Sequence, residues 1–387
     1  MKHQEDSPKR KRPKWKTAAS IVAALVPVFA IAVGFYAYRN LNYDKAAQKL
    51  IRRAGMIEKQ ATLPDGSVLN YGEGPANGLT PLMLLHGQNV SWEDYANVLP
   101  ELTKHYHVFA VDYYGHGGSS KNPDKYSAKA IGEDLIWFLE EIIQQPAVVS
   151  GHSSGGLLTA WLAANAPDSV RGVVVEDAPF FSTEPGRAEK TFAGLGFKLT
   201  HDFLNQTEET NYTRYSLEHT YMQEFFNADG QDNWSKIVKD PAFKYMDKHP
   251  GKVPRLWFYP PSLGVNELFD LTANLQDGTG DYDLRFGETF YDYSWFEGFD
   301  QAETLARIQC PTTILHVAAS DATAPSYYDK NGILVSAMDN DDAARAQQLV
   351  AGSELIGGFK SNHDIHKDRP QEFTDVLVKF KDKLDLS

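Results

Sequence analysis

From residue 57 onward, short apolar runs alternate with segments whose apolar residues recur every three or four positions. The runs PLMLLHG (81–87), HVFAVDYYG (107–115), PAVVSGH (146–152), RGVVVEDA (171–178) and PTTILHVAAS (311–320) are aliphatic or β-branched and give way to Gly, Asp or Ser. Each reads as a buried strand. In YSAKAIGEDLIWFLEEII, residues Ile131, Leu135, Phe138, Leu139 and Ile142 share one face of a helix, and GGLLTAWLAANAP reads as a second helix stopped at Pro167. Strands alternating with helices predict βαβ units, hence an α/β fold with a mostly parallel sheet flanked by helices. Such sheets bind ligands at the carboxyl ends of their strands.

The rhythm lapses from about 181 to 305, where the chain turns aromatic and polar (FFSTEPGRAEKTF, RLWFYPPSLG, ETFYDYSWFEGF). A stretch this long predicts an inserted, mainly helical lid rather than a loop. Its aromatics serve either as a surface for an apolar acyl chain or as the core of a small helical subdomain. The expected organisation is a core of 57–180 and 306–387 interrupted by this insertion, with 39–56 as a linker before it. No period of repetition is visible, which argues against a solenoid.

Residues 17–38, TAASIVAALVPVFAIAVGFYAY, carry no charge. As a helix they would span about 33 Å, enough for a hydrocarbon core of roughly 30 Å. This predicts one transmembrane helix or signal anchor. A cleaved signal peptide is the alternative, because AIA (30–32) has the small-x-small form of a cleavage site and Pro27 interrupts the run. Residues 1–16 hold seven Lys/Arg against two acids, and 39–53 hold five Lys/Arg. That bias places the N-terminus in the cytoplasm and the remainder outside it.

The net charge is −13, so with the basic tail set aside the body is more acidic still. Nucleic acid is excluded as an expected partner. One cysteine, Cys310, leaves no intrachain disulfide and no cysteine-based metal site.

Chemistry concentrates at SGHSSGG (150–156), a Gly-x-Ser-x-Gly set between a strand and a helix. That context makes a nucleophile elbow, with Gly151 and Gly155 leaving room for a strained turn that exposes Ser153. A serine needs a base, and His363 in GGFKSNHDIHKDRPQEF is the candidate. Its other readings are a surface histidine or a metal pair with His366, for which no third ligand accompanies the pair in sequence. The base needs a carboxylate: Asp321, at the end of TTILHVAAS, is the first choice and Asp177, after GVVVE, the second. The backbone amides of Gln88 and Ser154 are the expected oxyanion donors. His86 reads as a structural turn residue, and DYYGHGGSS (112–120), without a Walker lysine, as part of the cleft wall. No metal or cofactor is expected.

Taken in order, HGQ, DYYGHGGSS, GHSSGG, SDATAP and NHDIHKDRPQEF resemble the α/β-hydrolase fold superfamily over roughly residues 57 to 385. The resemblance implies an eight-stranded sheet, a lid inserted after the sixth strand, and Ser153, Asp321 and His363 as triad. Asn362 replaces the glycine usual before the base. Members that open epoxides or displace halide carry Asp at the elbow, so Ser153 points to the serine members: esterases, lipases, thioesterases, amidases, and some carbon–carbon hydrolases and peroxidase-like enzymes. The expectation is a membrane-anchored hydrolase of a small or lipid-like carboxylic ester. The alternative of another class is a membrane-tethered binding protein without turnover.

Overall fold

The computed structural model describes residues 14–227, 230–259, 265–273, 280–319 and 326–386. All five apolar runs form strands: β3 (Pro81–Leu85), β4 (His107–Val111), β5 (Ala147–His152), β6 (Val170–Glu176) and β7 (Thr312–Val317). β3, β5 and β7 are buried along their whole length, as expected of parallel strands covered on both faces. Three strands lie outside those runs. β1 (Ile57–Thr62) and β2 (Val68–Glu73) form an antiparallel pair at one edge, and β8 (Glu354–Phe359) closes the other. The sheet has eight strands in the order β1-β2-β4-β3-β5-β6-β7-β8, parallel from β4 to β8.

β4 stops at Val111, short of the 107–115 run, because the Asp112 carboxylate turns the chain. It accepts from the Trp92 N–H (2.6 Å), Asn70 Nδ2 (2.9 Å) and the Gly118 N–H (3.1 Å). One face of the sheet packs on the helices Ala128–Phe138 and Ser154–Asn165, the other on Asp44–Arg53 and Pro370–Leu386. The chain leaves β3 toward β4 on one side and resumes with β5 on the other. The carboxyl ends of β3 and β5 therefore flank the crevice where such sheets take ligands.

Between β6 and β7 the described chain is helical, including Phe192–Leu204, Val265–Leu271 and Leu284–Tyr291. Leu217, Trp234, Val238, Leu256, Val265 and Phe269 give part of it a small core of its own. Cys310 packs half-buried against the main core just before β7.

The expected N-terminal span falls within the helix Lys14–Leu41, whose side chains are described from Leu25 onward. Among the described residues no helix is long and apolar enough to cross a membrane. The end of this helix is tied to the β6–β7 insertion: Asn40 Nδ2 donates to the Trp257 carbonyl (2.8 Å) and Asn266 Nδ2 to the Asn40 carbonyl (3.1 Å).

Candidate active site

Ser153 occupies the single-residue turn between β5 and the helix Ser154–Asn165, at φ 54°, ψ −122°. A non-glycine residue there is strained, and the neighbouring glycines make the turn possible. A Cβ at Gly151 would lie 2.1 Å from the Gly155 carbonyl oxygen, and one at Gly155 would lie 2.2 Å from that of Leu85. The Ser153 N–H donates to the Glu176 carbonyl (3.0 Å), which fastens the turn to the end of β6.

Ser153 opens into a cavity of about 830 Å³ that is also lined by Gln88, Ser154 and His363. Both expected oxyanion residues thus stand beside the serine. Ser154 is the first residue of its helix, where backbone N–H groups lack intrahelical acceptors. Tyr282 from the insertion donates its hydroxyl to Gln88 Oε1 (2.8 Å), and Tyr113 and Ser154 share a hydroxyl–hydroxyl bond of 2.8 Å. His86 is fully buried and stacked on Tyr113, away from the cavity. Residues 112–120, expected in the cleft wall, do not line this cavity: Tyr113 turns inward to the Ser154 hydroxyl and stacks on His86.

His363 Nδ1 lies 2.7 Å from Asp177 Oδ2. Asp177, the second choice from sequence, thus meets the expected base His363; Asp321, the first choice, lies outside the described residues. Asp177 follows β6 directly, at φ 40°, and is fully buried. Its other oxygen is 3.1 Å from His316 Nδ1 and accepts from the Val317 N–H at 3.4 Å. Burial opposes the Asp177 charge, but the bonds to His316 and His363 outweigh it and hold the carboxyl below its usual range. Burial likewise opposes a charged His363, and the Asp177 carboxylate overrides it, raising the imidazole above its usual value.

His316 went unread in the sequence; a histidine inside an apolar strand, LHV, was its only signal. The spacing that suggested a metal pair resolves otherwise, because His363 turns to Asp177 and His366 to the neighbouring Glu176 (2.9 Å). Asp94, His152 and His366 do bring ligand-type atoms within 4.8 Å of one another. Lys367 Nζ already sits 2.6 Å from Asp94, and carboxylates occupy both His366 nitrogens, so the cluster carries its own cations.

A profile of the alpha/beta hydrolase fold matches residues 80–330. The chain belongs to the α/β-hydrolase fold family. As an α/β-hydrolase it is similar to the pimeloyl-[acyl-carrier protein] methyl ester esterase of Yersinia enterocolitica, 30% identical over 141 residues, which cover 35% of this chain and 51% of that one. It is also similar to bifunctional epoxide hydrolase 2 of Sus scrofa, 34% identical over 120 residues covering 30% of this chain and 21% of the other. The matched segment is at most about half of these curated relatives' length. Among solved structures, the esterase RhEst1 from Rhodococcus sp. ECU1013 shares the fold at TM-score 0.55 and 20% identity, covering 85% of this chain and 99% of that one.

Proposed function

We propose that this α/β-hydrolase cleaves a carboxylic ester through an acyl-enzyme on Ser153, with His363 as base and Asp177 as acid. The observation that carries the reading is the 2.7 Å contact between Asp177 and His363 in the loop that shares a cavity with the strained Ser153. Ser153 Oγ attacks the ester carbonyl while His363 Nε2 takes its proton. The oxyanion is held by the Gln88 and Ser154 amides. Collapse releases the alcohol, protonated by His363; water then attacks the acyl-enzyme as His363 takes its proton, and His363 returns that proton to Ser153 Oγ as the acid leaves. Leu195, Leu199, Leu268, Leu271 and Phe290 line the cavity and suit an apolar acyl group. The insertion that supplies them serves as the lid.

The test is labelling with a fluorophosphonate. Covalent modification of the wild-type protein, lost in Ser153→Ala, is expected; a folded wild-type protein that resists the probe would defeat the reading and favour a tethered binding protein.

We infer in addition that the N-terminal helix holds the protein at a membrane with the hydrolase core on the extracytoplasmic side. The charge-free run 17–38 supports this, as does the exposure of Leu25, Val26, Val28, Phe29, Ile31 and Phe35, each more than half accessible. Full-length protein should stay with membranes in high salt and leave them in detergent; release by salt alone would contradict attachment through this helix. N-terminal sequencing of the mature protein distinguishes an anchor from a cleaved signal.

A further inference from the structure

Beside the Asp177–His363 pair lies a second charged cluster that the ester chemistry does not consume. Glu176 precedes the acid by one residue, and His366 follows the base by three. Both are fully buried. His366 Nδ1 lies 2.9 and 3.0 Å from the two Glu176 oxygens, and its backbone N–H donates to Glu176 Oε1 at 2.8 Å. Its Nε2 lies 2.9 Å from Asp94 Oδ2. Ionised carboxylates only accept, so both ring nitrogens are satisfied together only when both carry protons. Burial works against that charge, but Glu176 and Asp94 outweigh it and raise His366 to about 10.

These contacts join the three segments that build the site. Asp94 stands in the short helix Trp92–Asn97 that follows the expected oxyanion residue Gln88, Glu176 ends the strand that delivers Asp177, and His366, in the short helix Ile365–Asp368, lies three residues past His363. Asp94 also takes Lys367 Nζ at 2.6 Å, and Lys367 reaches Glu267 of the insertion at 2.9 Å. A purely apolar staple would hold the backbone equally well. What the charged one adds is a fixed positive group close to the base.

We propose that His366, as a buried imidazolium clamped between Glu176 and Asp94, is a positioning residue that sets Asp177 and His363 against the oxyanion loop. The proposal rests on the Ser153–His363–Asp177 reading. His366 is faced by Glu176 from β6, by Asp94 and Tyr95 from the helix Trp92–Asn97, by the His152 ring from the end of β5 and by Phe373 from the C-terminal helix. His363, Asp364 and Lys367 lie on its own loop, with Glu267 beyond Lys367. Removing the imidazolium leaves Glu176 and Asp94 uncompensated and raises the pKa of His363; removing Glu176 lowers it, since Glu176 is among the charges that hold it up.

The experiment measures fluorophosphonate inactivation of the folded full-length protein against pH, resolving the maximal rate from the inhibitor affinity. His366→Gln should cut the maximal rate about 100-fold, the cost of a misplaced catalytic pair, leave the affinity nearly unchanged, and move the acid limb to higher pH. Glu176→Gln should also cut the rate but move that limb to lower pH. A folded His366→Gln protein with the wild-type rate and pH profile would overturn the proposal, and so would limbs that shift the same way in both variants. If His366→Gln does not fold, the Glu176→Gln arm decides alone; if neither folds, the cluster is a structural staple and the proposal fails. A wild-type protein that does not label takes down the triad reading itself, whereas a labelled wild type with indifferent variants removes only this inference.

Discussion

A methyl group at position 155 has no space: its carbon would lie 2.2 Å from the Leu85 carbonyl oxygen and 2.4 Å from that of His86. Backbone would have to move, and the backbone in question leads into the loop of Gln88. Gly155→Ala is therefore expected to destabilise the protein by about 1–3 kcal/mol, read from the denaturant midpoint, and to slow fluorophosphonate labelling of Ser153. Wild-type values for both would show that the elbow tolerates separation from β3. The strained turn at Ser153 and the place of His363 on the same cavity were legible because their signals are local: glycines around Ser153 between a strand and a helix, and a histidine between the last strand and the last helix. The acid was not. Asp177 and His363 are 186 residues apart, several strand ends offer a carboxylate, and only the folded path decides which one meets His363. His316 and His366 are read from three dimensions alone, although a Glu-Asp pair at one strand end and a His-x-x-His on another loop, each partner meeting its counterpart, is a pattern worth seeking in other chains.

At the scale of elements, legibility followed burial. The central strands are apolar throughout because both faces are covered, so a short run of aliphatic residues suffices to mark them. β1 reads IEKQAT, with only Ala61 buried, and as an edge strand it borrows its conformation from β2 rather than from its own pattern. β8 carries two glycines and one buried residue, Phe359, for the same reason at the other edge. In the insertion the aromatics divide: Trp234 and Phe269 form its core, while Phe192, Phe197 and Tyr282 line the cavity. Composition could not divide them, because a ring in a core and a ring on a cavity wall are the same residue type.

Across the whole molecule, the ties of the insertion include Tyr282 to Gln88, Glu267 to Lys367 of the His366 cluster, Asp283 to Tyr126, Tyr221 to Asp329, and Asn266 to Asn40 of the N-terminal helix. Opening such an insertion breaks several of these ties together, which makes it a sub-global event. The lone cysteine offers a way to compare such an event with loosening of the sheet. Cys310 sits just before β7, and burial pushes its thiol up to about 11, so at neutral pH the native protein should react only slowly with a thiol reagent. Its modification rate should track global unfolding as denaturant is raised, and fast labelling of native protein would contradict this. The chain thus contains a single chemical reporter on the fixed part of the molecule, against which the mobility of everything above the cavity can be timed without introducing a probe.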